Sequence, residues 1–317
     1  MLHKRISRRK FLGTAASASA LAMAAPRVAI RPEKAVTPEI MLGGPVFGTY
    51  NDPDSWIRLV LNLGYRAAYC PVDTTATSDV RRLYRQVARK AGVIISEVGV
   101  WNNTLSSDEN ERKAAVDKCI ISLQLADEIG ANCCVNISGS GNDKYWAGPH
   151  KDNLTDETFD RIVETTRKII DAVRPEFTWF TLEAMPWAFP YSPDSYLRLI
   201  KAIDRDRFAV HLDPVNMVVS PEIYFKNGDL IKECFAKLGP HIRSCHAKDI
   251  ILREDIYTPH LDELRPGLGN LDYGVFLTEL SKMDHVPLMM EHLSSAEEYA
   301  LAAAYIRSVA RQKNLEI

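Results

Sequence analysis

From residue 44 onward, short apolar runs alternate with longer segments whose apolar positions recur at helical spacing. Strands and helices in alternation predict βα units around a parallel sheet. The pattern places strands at 45–48, 66–71, 93–100, 132–137, 178–183, 208–213, 242–246 and 287–291. It places helices at 53–63, 78–91, 108–129, 156–173, 193–203, 229–238, 274–282 and 296–312. Thr155 and Ser295 stand where a helix wants a capping hydroxyl, with Asp156, Glu297 and Glu298 in the turns that follow. Eight repeats with no Pro/Gly/Ser-rich linker between them match the size of a single closed (β/α)8 barrel, a TIM barrel, over residues 40–317. An open doubly wound sheet would want a glycine-rich phosphate turn after its first strand, and GGPVFGTYNDP lacks G-x-G-x-x-G. The longest interruption, 250–273, is charged and contains Pro259, Pro266, Gly267 and Gly269; it reads as a functional loop.

Charge changes the picture at the N-terminus. The chain of 317 residues carries a formal net charge of -2, but Lys4, Arg5, Arg8, Arg9 and Lys10 precede any acid, so the remainder is near -7. That acidic body argues against a nucleic-acid footprint. The segment SRRKFLGTAASASALAMAAP resembles a twin-arginine export signal, with Ala22-Met23-Ala24 as a cleavage pattern. Its apolar stretch is too short and alanine-rich for a stable membrane span. The expectation is a signal peptide over 1–25, a linker over 26–39, recognition by the twin-arginine machinery, and a periplasmic or exported mature protein. Six cysteines occur, none with C-x-x-C spacing. Cys70, Cys133, Cys134 and Cys245 lie in apolar runs and read as buried thiols rather than bridges, although an oxidising compartment leaves one disulfide open.

Four strand runs end in a metal-ligand side chain: TWFTLE at Glu183, FAVHLD at Asp213, IRSCH at His246 and VPLMME at Glu291. Their separations of 30, 33 and 45 residues each approximate one βα repeat, the last lengthened by the long loop. In a barrel the C-terminal strand ends meet around one mouth. Three carboxylates brought together there raise one another's pKa unless a cation resolves the repulsion. The oxygen-rich set favours Mn2+, with Mg2+, Co2+ and Zn2+ as alternatives. Any one of these residues alone would read as a salt-bridged strand end.

Together with HAKD (246–249), PGLGNLDYGVF (266–276) and GVWNN (99–103), this tetrad resembles the sugar phosphate isomerase/epimerase group of xylose isomerase-like TIM barrels. The resemblance covers nearly all of residues 40–312. It implies one divalent ion held by Glu183, Asp213, His246 and Glu291, and a carbohydrate substrate enolised through α-proton abstraction by Glu183 and Glu291, with the ion stabilising the enediolate. Asn216 departs from the pattern, because many sugar epimerases of this group carry His three positions after the metal Asp. An amide can donate a hydrogen bond there but cannot supply a proton at neutral pH.

Further substrate contacts are expected from Lys248, His211, Trp101, Trp187 and His150, with Trp146, Phe189 and Tyr191 as other aromatic candidates. His211 reads equally as a packed interior residue, and Lys248 equally as an ion-pair partner of Asp249. No phosphate cradle is evident, which favours an unphosphorylated sugar. The alternative on the same fold is a 3-keto-glycoside lyase or hydrolase, in which enolisation expels the anomeric substituent. Two other classes are weaker: an apurinic-endonuclease-like nuclease would need more His ligands and a basic face, and a non-catalytic sugar-binding barrel has no use for the carboxylates. The sequence leaves the oligomeric state open, including a homo-oligomer.

Overall fold

The computed structural model describes residues 40–317; the expected signal peptide and linker, 1–39, lie outside the described residues. The parallel strands are β1 (Met41–Gly44), β2 (Ala67–Ala68), β3 (Ile94–Ile95), β4 (Glu97–Gly99), β5 (Cys133–Asn136), β6 (Trp179–Glu183), β7 (Phe208–Leu212) and β8 (Ile242–Ala247). An antiparallel hairpin, β9 (Asp249–Leu252) with β10 (Leu261–Leu264), follows, and then parallel β11 (Pro287–Met290). The pairing order β3-β2-β1-β11-β8-β7-β6-β5-β4 runs once around a barrel. β3 and β4 are two halves of one stave. Ser96 between them donates its N–H to the Ala68 carbonyl at 2.8 Å and accepts from the Cys133 N–H at 3.1 Å, so the ring meets there. Nine strands thus form the eight staves expected of a (β/α)8 barrel.

The staves are ringed by α1 (Pro53–Asn62), α2 (Ser78–Ala91), α3 (Glu109–Ile129), α4 (Asp156–Val173), α5 (Pro193–Ile203), α6 (Pro221–Phe225), α7 (Asn227–Leu238), α8 (Tyr273–Leu280) and α9 (Ala296–Gln312). Local chemistry sets their limits. Thr155 and Ser295 accept from the N–H groups of Thr158 and Glu298, and α2 and α3 stop at Gly92 and Gly130 in the left-handed conformation. No helix among the described residues is long and apolar enough to cross a membrane. The cysteines are free thiols, five of them buried. Burial pushes the Cys119 and Cys234 thiols up to about 12, which keeps them inert.

Two expectations are corrected. The first strand is Met41–Gly44, not 45–48, because Pro45 has no N–H to give the ladder and the strand ends before it. Gly43 is the residue that lets β1 approach β2: a Cβ there would lie 2.4 Å from the Ala67 carbonyl oxygen. The 250–273 segment is not an irregular loop throughout, since it contains most of the β9–β10 hairpin.

Candidate metal centre

The stave ends deliver the tetrad to one place. Glu183 closes β6, Asp213 follows β7, His246 lies in β8 and Glu291 follows β11. One ligand atom from each of the four falls within 4.8 Å of every other. His246 Nδ1 is 3.0 Å from Glu183 Oε1, 2.8 Å from Glu291 Oε1 and 4.0 Å from Asp213 Oδ2. The DPVN turn aims Asp213: its Oδ1 accepts from the Val215 N–H at 2.9 Å, which leaves Oδ2 for the centre. Asn216 Nδ2 donates to Glu183 Oε1 at 3.1 Å and orients that carboxylate.

Asp213 Oδ2 and Glu291 Oε1 are buried and make no hydrogen bond. Lys248 Nζ lies 2.9 and 2.6 Å from them, a charge contact without an aligned donor. Two buried carboxylate oxygens held only by charge contacts with Lys248 and His246, a third carboxylate and an imidazole nitrogen fit a single divalent cation of the oxygen-preferring kind. The cations now present act on the same groups. Burial raises the Glu291 carboxyl, but His246 and Lys248 outweigh it and hold the group below its ordinary range. Burial likewise opposes charge on His246, yet Glu291, Glu97 and Glu183 keep its imidazolium well above the ordinary 6.5. A metal ion held through Nδ1 would have to displace its proton. Calorimetry of Mn2+ uptake at pH 7 in two buffers of different ionisation heat is expected to show about one proton released per ion, with affinity rising as pH rises. Uptake without proton release would exclude Nδ1 as a donor.

The sequence reading missed Glu97. Its side chain is 1% exposed, its Oε2 is 2.8 Å from His211 Nε2 and 3.0 Å from Ser244 Oγ, and its Oε1 is 3.2 Å from His246 Nε2. Burial pushes the Glu97 carboxyl up, but the two imidazoles prevail and hold it far below the ordinary carboxylate range. His211 therefore sits beneath the centre as a partner of Glu97, with Nδ1 lacking a hydrogen-bond partner and its ring centroid 4.1 Å from that of His246. The signal for Glu97 was present in VIISEVGV, a carboxylate inside an apolar run. It was hidden because the residue is mid-stave, not at a strand end.

Above the tetrad opens a cavity of about 980 Å3, lined by Trp101, Trp187, Asn216, Lys248, Glu183 and Glu291 among others. Gly99 makes room for the Trp101 indole, since a Cβ at Gly99 would lie 2.3 Å from its Nε1. The indole centroid is 6.3 Å from the His246 ring. Trp187 is fixed by donating Nε1–H to the Ala147 carbonyl at 2.7 Å. Trp146 also lines the cavity; Phe189, Tyr191 and His211 do not, nor does His150, whose Nδ1 accepts from the Asp152 N–H at 3.3 Å.

Asp249 does not pair with Lys248. Its two oxygens accept from the N–H groups of Ile250, Gly267, Gly269 and Leu271 at 2.9 to 3.0 Å, so the last residue of HAKD anchors the PGLG loop. Asp249→Ala strands these four donors and is expected to cost about 3 kcal/mol in urea unfolding. A loss below about 1 kcal/mol would mean that water replaces the carboxylate.

Residues 57–309 match the family described as Xylose isomerase-like TIM barrel. The chain belongs to this family. No curated protein matches it in sequence. Among solved structures, this xylose isomerase-like barrel is similar to one from Mycobacterium smegmatis in complex with magnesium, at 18% identity over 87% of this chain and 98% of that one, TM-score 0.60. D-psicose 3-epimerase with D-tagatose from Clostridium cellulolyticum H10 matches at 15% identity over 88% and 100% of the two chains, TM-score 0.61. The 3-keto-D-glucoside 4-epimerase from E. coli matches at 12% identity over 85% and 100%, TM-score 0.59. At these identities the likeness is one of fold.

Proposed function

We propose that this xylose isomerase-like barrel is a divalent-metal-dependent isomerase or epimerase acting on an unphosphorylated carbohydrate. The observation that carries the reading is the convergence of Glu183, Asp213, His246 and Glu291 beneath an aromatic-lined cavity. Epimerases among the structural relatives support the reaction class, and the magnesium complex supports the kind of cofactor, with Mn2+ or Mg2+ as the ion. When bound, the ion supplies Lewis-acid polarisation of neighbouring substrate oxygens. The chain's own residues do the rest. One of Glu183 and Glu291 removes the proton alpha to the carbonyl, and the other returns a proton to the opposite face or the adjacent carbon. Asn216 keeps Glu183 aimed, Lys248 offers a cation to substrate oxygen, and Trp101 and Trp187 give the ring its apolar walls.

A second reading on the same site is β-elimination from a 3-keto-glycoside. It is favoured by Asn216 in place of a proton-donating His, and by a cavity at the upper end of the roughly 300–1,000 Å3 usual for ligand pockets. Incubating the metal-loaded protein in deuterated water with free ketoses and with 3-keto-glycosides separates the two. Solvent deuterium in a new stereoisomer is expected for the first; release of aglycone with no stereoisomer would reject it for the second. Absence of exchange with every member of both panels would reject enolisation. Export by the twin-arginine route is part of the proposal, and a mature N-terminus near Pro26 in the secreted protein is the result expected from N-terminal sequencing.

A further inference from the structure

The ammonium of Lys248 reaches the same oxygens that would hold the ion. Nζ is 2.9 Å from Asp213 Oδ2, 2.6 Å from Glu291 Oε1 and 3.8 Å from Glu183 Oε1, and the side chain is only 3% exposed. A divalent ion would be held by these same oxygens, in the space the ammonium now reaches. The two cations would then be in contact in a buried setting where repulsion is weakly screened. Lys248 has somewhere to go. Glu263 on β10 places Oε2 3.5 Å from Nζ, is 37% exposed, and lines the same cavity. Its other oxygen pairs with His292 Nδ1 at 2.9 Å.

We infer that Lys248 is a resident counter-cation of the carboxylate nest, that the metal ion displaces it toward Glu263, and that ion binding and presentation of the ammonium to the cavity are therefore one event. The inference rests on the metal-centre reading above. The exchange moves the lysine from one set of carboxylates, Asp213 and Glu291, to another, Glu263. Its consequence is an order of assembly. While the ammonium neutralises the nest it is engaged by Asp213 and Glu291 at the cavity floor, and it is released to a sugar only when the ion arrives.

Mn2+ titration calorimetry at fixed pH and salt tests the competition. Lys248→Met keeps the stem and removes the charge, and is expected to bind Mn2+ at least about tenfold more tightly than wild type, while Lys248→Arg stays within about threefold. Lys248→Gln serves if the Met variant does not fold. Equal or weaker binding by a folded neutral variant overturns the inference and leaves the metal centre standing. Uptake of no ion by either protein removes the metal centre and the inference together. A second measurement needs no variant: modification of Lys248 by an amine reagent, read by mass spectrometry, is expected to rise severalfold when Mn2+ is added to wild type. Modification that is unchanged or reduced means that the ammonium is not displaced into the cavity.

Discussion

Glu183→Gln and Glu291→Gln are each expected to abolish proton exchange from one stereoisomer of the substrate pair and to spare the other. The two carboxylates reach the site from different staves, β6 and β11, and both line the cavity. In a two-base scheme each carboxylate faces one side of the reacting carbon or one of two adjacent carbons. Solvent exchange from a given isomer needs only the base on its side, whereas conversion needs both. Glutamine keeps the shape and one ligand oxygen but cannot accept the proton. At saturating Mn2+, loss of the correct base is expected to slow exchange by about 10²- to 10⁴-fold, with conversion lost to a similar degree in both variants. Following deuterium wash-in from each isomer by proton NMR gives four rates. If both variants retain near wild-type exchange from both isomers, neither carboxylate is the base and the mechanism falls. If one variant alone loses exchange from both isomers, a single residue acts on both sides, and the pair collapses to one base.

Much of this clustering is legible in the sequence, because the relevant regularity is coarse. A buried strand tolerates a carboxylate only at its end or with a partner, so TWFTLE and FAVHLD announce themselves one repeat apart and VPLMME two repeats further on. The barrel then turns a spacing of 30 to 45 residues into contact distance. Regular helices with strong caps, such as Asp156–Val173 and Ala296–Gln312, were equally plain. What stayed hidden depended on neighbours distant in sequence. Gly43 falls outside the strand the pattern predicts, and its role follows only from Ala67 pressing against it. Glu97 reads as an interruption until three donors from β7 and β8 are found around it. Asp249 and Lys248 sit side by side in HAKD, as an ion pair would. Asp249 opens β9 and Lys248 lies between β8 and β9, and they serve opposite ends of the site, one the loop backbone and the other the carboxylates.

Glu97→Gln is expected to weaken Mn2+ binding by about 10- to 100-fold, although Glu97 belongs to no part of the proposed donor set. The argument is one of hydrogens. Glu97 Oε2 faces two donors, His211 Nε2–H and Ser244 Oγ–H, while Oε1 faces His246 Nε2 alone. A glutamine has one acceptor, and that oxygen satisfies more partners on the His211 side. Its NH2 group then points at His246 Nε2 and turns that nitrogen into an acceptor, which leaves the ring hydrogen on Nδ1. Nδ1 is the atom that must be bare to hold the ion. The readout is therefore twofold: calorimetric affinity, and 15N shifts of His246 that move from the Nε2–H to the Nδ1–H tautomer at a pH where the ring is neutral. Glu97→Ala is a harsher change, since three buried donors lose their acceptor together, and is expected to cost about 3–5 kcal/mol of stability. Unaltered metal affinity in a folded Glu97→Gln protein would show that the Asp, two Glu and His donors are aligned without help from below, and that the buried Glu97–His211 pair serves the barrel interior and not the centre above it.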